Sequence, residues 1–176
     1  MVRAYLSIGS NLEPAENVRK ALLLLCTHVR ITGLSTVYRT PAEGRPEQPD
    51  YYNCVAGIET DIPPLEFKLS VLRAIEGELG RSRTDDRFAA RPIDLDLILY
   101  GDMIMKTPDL ELPDPQILRR AFVAVPLQEL SPHLVLPGSG RRIGEVAAQS
   151  VGEMMPLEGY TKQLREELRG HEHKTC

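Results

Sequence analysis

The chain has no long hydrophobic run, no surplus of positive charge and little cysteine, and each lack removes a class of function. Its longest apolar run, ALLLLC at 21–26, falls far short of the roughly 20 residues that cross a bilayer. The opening MVRAYLSIGSN has no basic start, apolar core or small-residue cleavage site, so no signal peptide is expected. A net charge of −4 and a pI near 5.6 argue against a general nucleic-acid or membrane-surface binder. Cys26, Cys54 and Cys176 are odd in number and form no CxxC, which predicts free thiols in a reducing cytoplasm. The glycine-rich fingerprints of P-loop and Rossmann phosphate cradles are missing, as are internal repeats and low-complexity tracts.

What is present reads as one ordinary globular domain. The 176 residues are 42% hydrophobic and 26% charged, enough to bury a sizeable core. VRAYLSIGS (2–10) alternates as a strand does, with Val2, Ala4, Leu6 and Ile8 on one face. A helix is expected from Pro14, where Val18, Leu22 and Leu25 recur at helical spacing. VRITGLSTVYRT (29–40) reads as a second strand, bulged at Gly33, and PAEGRPEQPD (41–50) as a proline-restricted loop. YYNCVAGIET (51–60) is a third strand, antiparallel to the second. In PPLEFKLSVLRAIEGELG (63–80), Leu65, Leu69, Leu72, Ile75 and Leu79 predict an inward helical stripe, with Pro64 in the first turn and Gly80 at the end. IDLDLILY (93–100) is the fourth strand. The order β-α-β-β-α-β predicts an α+β, ferredoxin-like fold with helices covering one face of an antiparallel sheet. Residues 115–130 read as partly helical. The core domain spans 1–158, and 159–176 is a charged tail whose thin stripe of Tyr160, Leu164 and Leu168 suits a loosely docked helix. His171, His173 and Cys176 in that tail are weak metal candidates, because terminal residues of this kind arise by chance.

The chemistry concentrates in residues 81–101. Asp94 and Asp96 interrupt an apolar strand, and residues i and i+2 share a face with backbones roughly 6–7 Å apart. Two carboxylates so placed can hold one or two hard cations, commonly Mg²⁺ together with phosphate oxygens. A bare D-x-D is weak alone, and by itself is better explained as two surface aspartates on a solvated strand edge. The preceding RSRTDDRFAAR (81–91) places Arg81, Arg83, Arg87 and Arg91 beside the pair. Guanidinium groups next to metal-binding carboxylates suit a polyphosphate, and together they point to metal-assisted phosphoryl or nucleotidyl transfer.

Five co-linear segments carry a family resemblance: AYLSIGSNL (4–12), YRTPAEG with QPDYYNCV (38–55), IEGELGRSR (75–83), RPIDLDLILYG (91–101) and RRAFVAVPL (119–127). Over residues 2–157 the chain resembles the 6-hydroxymethyl-7,8-dihydropterin pyrophosphokinases of folate biosynthesis. The resemblance implies pyrophosphoryl transfer from ATP to the hydroxymethyl oxygen of a reduced pterin, with AMP released. It implies two Mg²⁺ ions on Asp94 and Asp96, and Arg81 and Arg91 stabilising charge on the phosphates. It further implies an ATP site drawing on Arg73, Glu76, Arg83, Arg87, Phe88, Leu97, Asp114 and Arg120, with adenine near Leu97 and Glu76 orienting the loop arginines. Tyr51 and Phe122 would sandwich the pterin, and Asn53 would meet its edge, aided by Thr40, Pro41, Ala42, Glu43 and Gly44. Small-molecule substrates, no nucleic acid, no membrane, a monomer and a cytoplasmic location complete the expectation.

Two departures stand out. Phe88-Ala89-Ala90-Arg91 replaces the family's usual Trp-Gly-Pro-Arg, and Pro113-Asp114 replaces its Pro-His. A carboxylate at Asp114 facing phosphates would repel them unless it turned away or met an arginine such as Arg120. A palm-like nucleotidyltransferase and a non-catalytic pterin- or nucleotide-binding relative remain as rivals at this point. The Tyr51/Asn53 pair and low basicity count against the first, and Arg81, Arg91, Asp94 and Asp96 against the second.

Overall fold

Alternating apolar residues make the strands, and their pairing was traced in a computed structural model that describes residues 1–82, 86 and 88–172. The chain runs β1 (Val2–Ser10), α1 (Pro14–Leu25), β2 (Arg30–Leu34), β3 (Tyr38–Thr40) and β4 (Tyr51–Thr60). A helical stretch follows in three parts, α2 (Pro64–Glu66), a π-helical segment Phe67–Leu72 and α3 (Arg73–Glu78), before β5 (Asp94–Tyr100). The strands order as β5-β1-β4-β3-β8, where β8 is the late strand Met155–Pro156, with β2 also on β4, and every pairing is antiparallel. This is the expected ferredoxin-like α+β arrangement, with the second strand divided into β2 and β3. The divide falls after a register shift between Ile31 and Gly33, where Ser35 turns its hydroxyl to accept the Val55 N–H at 2.9 Å.

Beyond β5 come a short hairpin of β6 (Met105–Lys106) and β7 (Glu111–Leu112), then α4 (Gln116–Arg119), α5 (Ala121–Leu130), α6 (Ile143–Gln149), β8 (Met155–Pro156) and α7 (Glu158–Glu172). These additions correct the expectation of a sheet covered on one face. One core joins Ala4, Leu6, Ile8 and Leu97 to α1, the π-helical segment and α7, where Leu164 and Leu168 are buried. A second core joins Tyr5, Val55, Ile98 and Leu99 to α5 and α6. Both faces of β1 and β4 carry apolar residues, and β5 changes face at a bulge: β1 pairs Tyr5 with Leu99 but Leu6 with Leu97, so Ile98 is the extra residue. Leu97 and Leu99, which simple alternation puts together, therefore face opposite cores.

The helical stretch departs from its expected stripe in the same manner. Phe67, Val71, Leu72, Ile75 and Glu76 are buried, whereas Leu65, Leu69 and Leu79 are only partly so. A π turn holds an extra residue and rotates what lies on either side of it. That rotation carries Glu76 inward. No helix among the described residues is long and apolar enough to cross a membrane.

Candidate active site

Strand register assembles the site at the β1 C-terminal end of the sheet, on the face that α5 covers. Gly9 pairs with Asn53 on one side and Asp94 on the other, and Ser7 pairs with Val55 and Asp96. Opposed residues share a face, so Asn53, Asp94 and Asp96 project together. Gly9 permits the close packing: a Cβ there would lie 2.7 Å from the Asn53 side-chain oxygen. Asn53 donates from Nδ2 to Thr40 Oγ1 at 2.8 Å, which orients its amide.

Charged groups surround the carboxylates. Asp94 accepts from Arg81 Nη1 on one oxygen and from Arg91 Nη1 on the other, both at 2.6 Å. Arg81 also pairs with Glu76, which is 5% exposed and accepts the Leu95 N–H at 2.8 Å. Gly80, at φ +85°, ends the helix in the left-handed conformation, and the Arg81 N–H returns to the Glu76 carbonyl at 2.9 Å. Asn11 fixes Arg91 from the β1 side, accepting its N–H at 2.7 Å and donating its own N–H to the Arg91 carbonyl. Among the described residues, Asp96 has no such guanidinium within ion-pair distance. Burial, then the charges of Asp94 and Asp114, push its carboxyl up to about 7. Burial likewise raises Glu76 and Asp114.

Two unlike cavities meet here. The larger, about 490 Å³, is lined by Tyr51, Asn53, Phe122, Thr40, Pro41, Glu43 and Gly44, and by Phe88, Arg91 and Arg120. The smaller, about 230 Å³, is lined by Lys68, Arg73, Glu76 and Arg81 from the helical stretch and its end, and by Pro108 and Asp109 opposite. Among the described residues, Asp94 and Asp96 are common to both walls.

Most of the expected residues therefore converge, but several stand elsewhere than expected. Leu97 is 1% exposed with its side chain in the first core. Phe88 and Arg120 line the larger cavity. Arg120 pairs with Glu43 and not with Asp114, whose Oδ1 accepts the Gln116 N–H at 2.8 Å at the start of α4. Asp114 lines neither cavity, and Ala42 is buried beneath its loop. Arg83 and Arg87, like His173 and Cys176, lie outside the described residues.

Other residues went unforeseen. Gly9, Gln48 and Gln116 line the larger cavity and Lys68 the smaller. Gln48 ties the 41–50 loop to the next by donating from Nε2 to the Phe88 carbonyl at 2.9 Å, beside an Arg45–Asp86 ion pair at 2.5 Å. The SIGSN run held a signal for Gly9, whereas nothing in the sequence announces the π turn that places Lys68.

The family model for 7,8-dihydro-6-hydroxymethylpterin-pyrophosphokinase matches residues 5–132. A 2-amino-4-hydroxy-6-hydroxymethyldihydropteridine pyrophosphokinase of Haemophilus influenzae is 40% identical, covering 79% of this chain and 88% of its own. Its namesake in Pseudomonas aeruginosa is 39% identical over 83% of this chain and 90% of its own. Among solved structures, wild-type HPPK-DHPS of Plasmodium falciparum with pteroate superposes with a TM-score of 0.67 at 14% identity, which bears on the fold alone. That match covers 84% of this chain but only 42% of the solved one, so the chain spans less than half its length. With nearly the whole length of these two bacterial relatives matched, the chain belongs to the 7,8-dihydro-6-hydroxymethylpterin-pyrophosphokinase family.

Proposed function

We infer that the protein transfers pyrophosphate from ATP to 6-hydroxymethyl-7,8-dihydropterin, yielding the pterin diphosphate and AMP in folate biosynthesis. The observation that carries this reading is the meeting of an aromatic, amide-lined cavity and a cationic one at Asp94 and Asp96. A flat heteroaromatic ring suits the first, between Tyr51 and Phe122. Asn53, its Nδ2 committed to Thr40, keeps its oxygen for a ring N–H. Phosphates suit the second, facing Arg81 and Arg73.

Asp94 and Asp96 offer hard oxygen donors on one face, a set that fits Mg²⁺. Two bound ions would supply charge neutralisation for the polyphosphate and polarise the accepting hydroxyl. The chain's own part is positioning. Arg81 and Arg91 present guanidinium donors to the transferred group as the pterin oxygen bonds to the β-phosphorus and the bond to AMP breaks. Glu76 and Asn11 hold those arginines in place. Phe88, packed on Gly44, lies over the pterin side. Both cavities are lined by one chain, so a monomer suffices, and a cytoplasmic location accords with Cys54 being buried as a free thiol.

Incubation with ATP, Mg²⁺ and the hydroxymethyl pterin should release AMP. ADP, or no nucleotide product, would overturn the assignment.

Two substitutions examine the cavities separately. Gly9→Ala drives a Cβ against the Asn53 oxygen and should weaken pterin binding about tenfold, the loss of one well-placed hydrogen bond. Fluorescence titration with pterin reads it, and Mg-ATP affinity should hold. Asp114→Asn keeps an oxygen for the Gln116 N–H while removing a charge near Asp96. Calorimetric titration should find Mg-ATP bound severalfold more tightly; weaker binding would mean that the carboxylate organises the site.

A further inference from the structure

We propose that Lys68 is a nucleotide-binding residue of this chain, gripping the ATP phosphates from the helix side of the smaller cavity together with Arg73. The inference rests on the reading of that cavity as the polyphosphate site and adds a residue to it.

The argument begins with the backbone. An unbroken α-helix over 63–80 would be phased by Leu65, Leu69 and Leu72, but the π-helical segment Phe67–Leu72 changes that phase. Lys68, Leu72, Arg73 and Glu76 then line one cavity, with Asp94 and Asp96 across from them. Among the described residues, Lys68 makes no ion pair within 4.0 Å. It is nevertheless close enough for its charge to oppose the upward shifts of both Asp96 and Asp114. A cation facing carboxylates without bonding to them is placed to accept an anion between.

Arg73 supplies an independent observation. Its Nη2 is held by Asp109 at 3.2 Å, which fixes the guanidinium. Its Nε is buried without any hydrogen-bond partner, the one such side-chain atom among the described residues. A buried donor left unmet is costly, and native structures seldom keep one without a reason. A phosphate oxygen in the adjoining cavity would satisfy it. Lys68 brings a mobile point charge and Arg73 a fixed fork, two complementary ways to hold a polyphosphate. The lining explains the need, since the carboxylate of Asp109 joins those of Asp94 and Asp96 there and the charge of Asp114 reaches Asp96. Cations on the helix side offset them.

Calorimetry with Mg²⁺ and an ATP analogue carrying a methylene bridge between the α- and β-phosphorus tests the proposal. Lys68→Met should weaken the analogue about tenfold or more, and Lys68→Arg should stay within about threefold of the parent. Pterin affinity, read by fluorescence, should be unchanged in both and serves as the folding control. Adding Asp114→Asn to Lys68→Met should recover part of the loss, since the charge that Lys68 offsets is gone. Parent-like analogue binding by Lys68→Met overturns the role of Lys68 and leaves the function standing. Equal loss of analogue and pterin binding in both variants also overturns it, as general disruption. Failure of the parent protein to bind the analogue would bring down the polyphosphate reading and this proposal together.

Discussion

Replacing Asp96 with asparagine is expected to cut AMP formation about a thousandfold while stabilising the metal-free protein above neutral pH. The first effect follows from losing one of two carboxylates proposed to hold Mg²⁺, which is worth several kcal/mol of barrier, with about 1.4 kcal/mol for each tenfold. The second follows from burial. Asp96 ionises at about 7 in the folded chain against an ordinary 3.8, because it is desolvated and faces Asp94 and Asp114. A raised carboxyl gives stability that is complete below about 3.8 and is lost as pH climbs through about 7. In chelator, the parent protein should therefore weaken between pH 4 and pH 8, and Asp96→Asn should weaken less. Melting temperatures at pH 5 and pH 8 read the gap, which should open towards pH 8. Near-parental turnover would sink the metal role, and a gap independent of pH would sink the burial argument.

Glu76→Ala should be the most damaging single change away from the metal pair. Its carboxylate is 5% exposed, pairs with Arg81 and accepts the Leu95 N–H at 2.8 Å. Alanine would leave a buried amide without its acceptor and Arg81 with one carboxylate fewer. Removing one partner of a buried, hydrogen-bonded ion pair costs on the order of 3 kcal/mol. Urea unfolding should register that loss. Turnover should fall about a hundredfold even at low urea, because Arg81 loses the group that aims it at Asp94. Glu76→Gln retains an oxygen for Leu95 and should recover most of the stability but less of the turnover. An alanine variant as stable as the parent would show that Glu76 has no structural part.

How much of this was legible in advance depended on the range of the interaction. Alternation along 2–10, 51–60 and 93–100 marked three strands, and i, i+2 spacing put Asp94 and Asp96 on one face, because these are properties of a single extended segment. Gly80 announced the helix end for an equally local reason, its φ of +85°. The family motifs indicated the reaction, and Tyr51, Asn53 and Phe122 do line one cavity. Tertiary structure decided the rest. The bulge at Ile98 arises only when β5 pairs with β1, and it is what sends Leu97 and Leu99 to opposite cores. The choice of Glu43 over Asp114 as the Arg120 partner depends on where a distant loop lies against α4. The π turn that buries Glu76 and exposes Lys68 to the smaller cavity answers to the packing of Phe67, Val71 and Leu72. Local spacing determines which face a residue takes within its own element. Only pairing between remote segments determines what that face meets, and the charge balance around Asp96 is a product of such meetings.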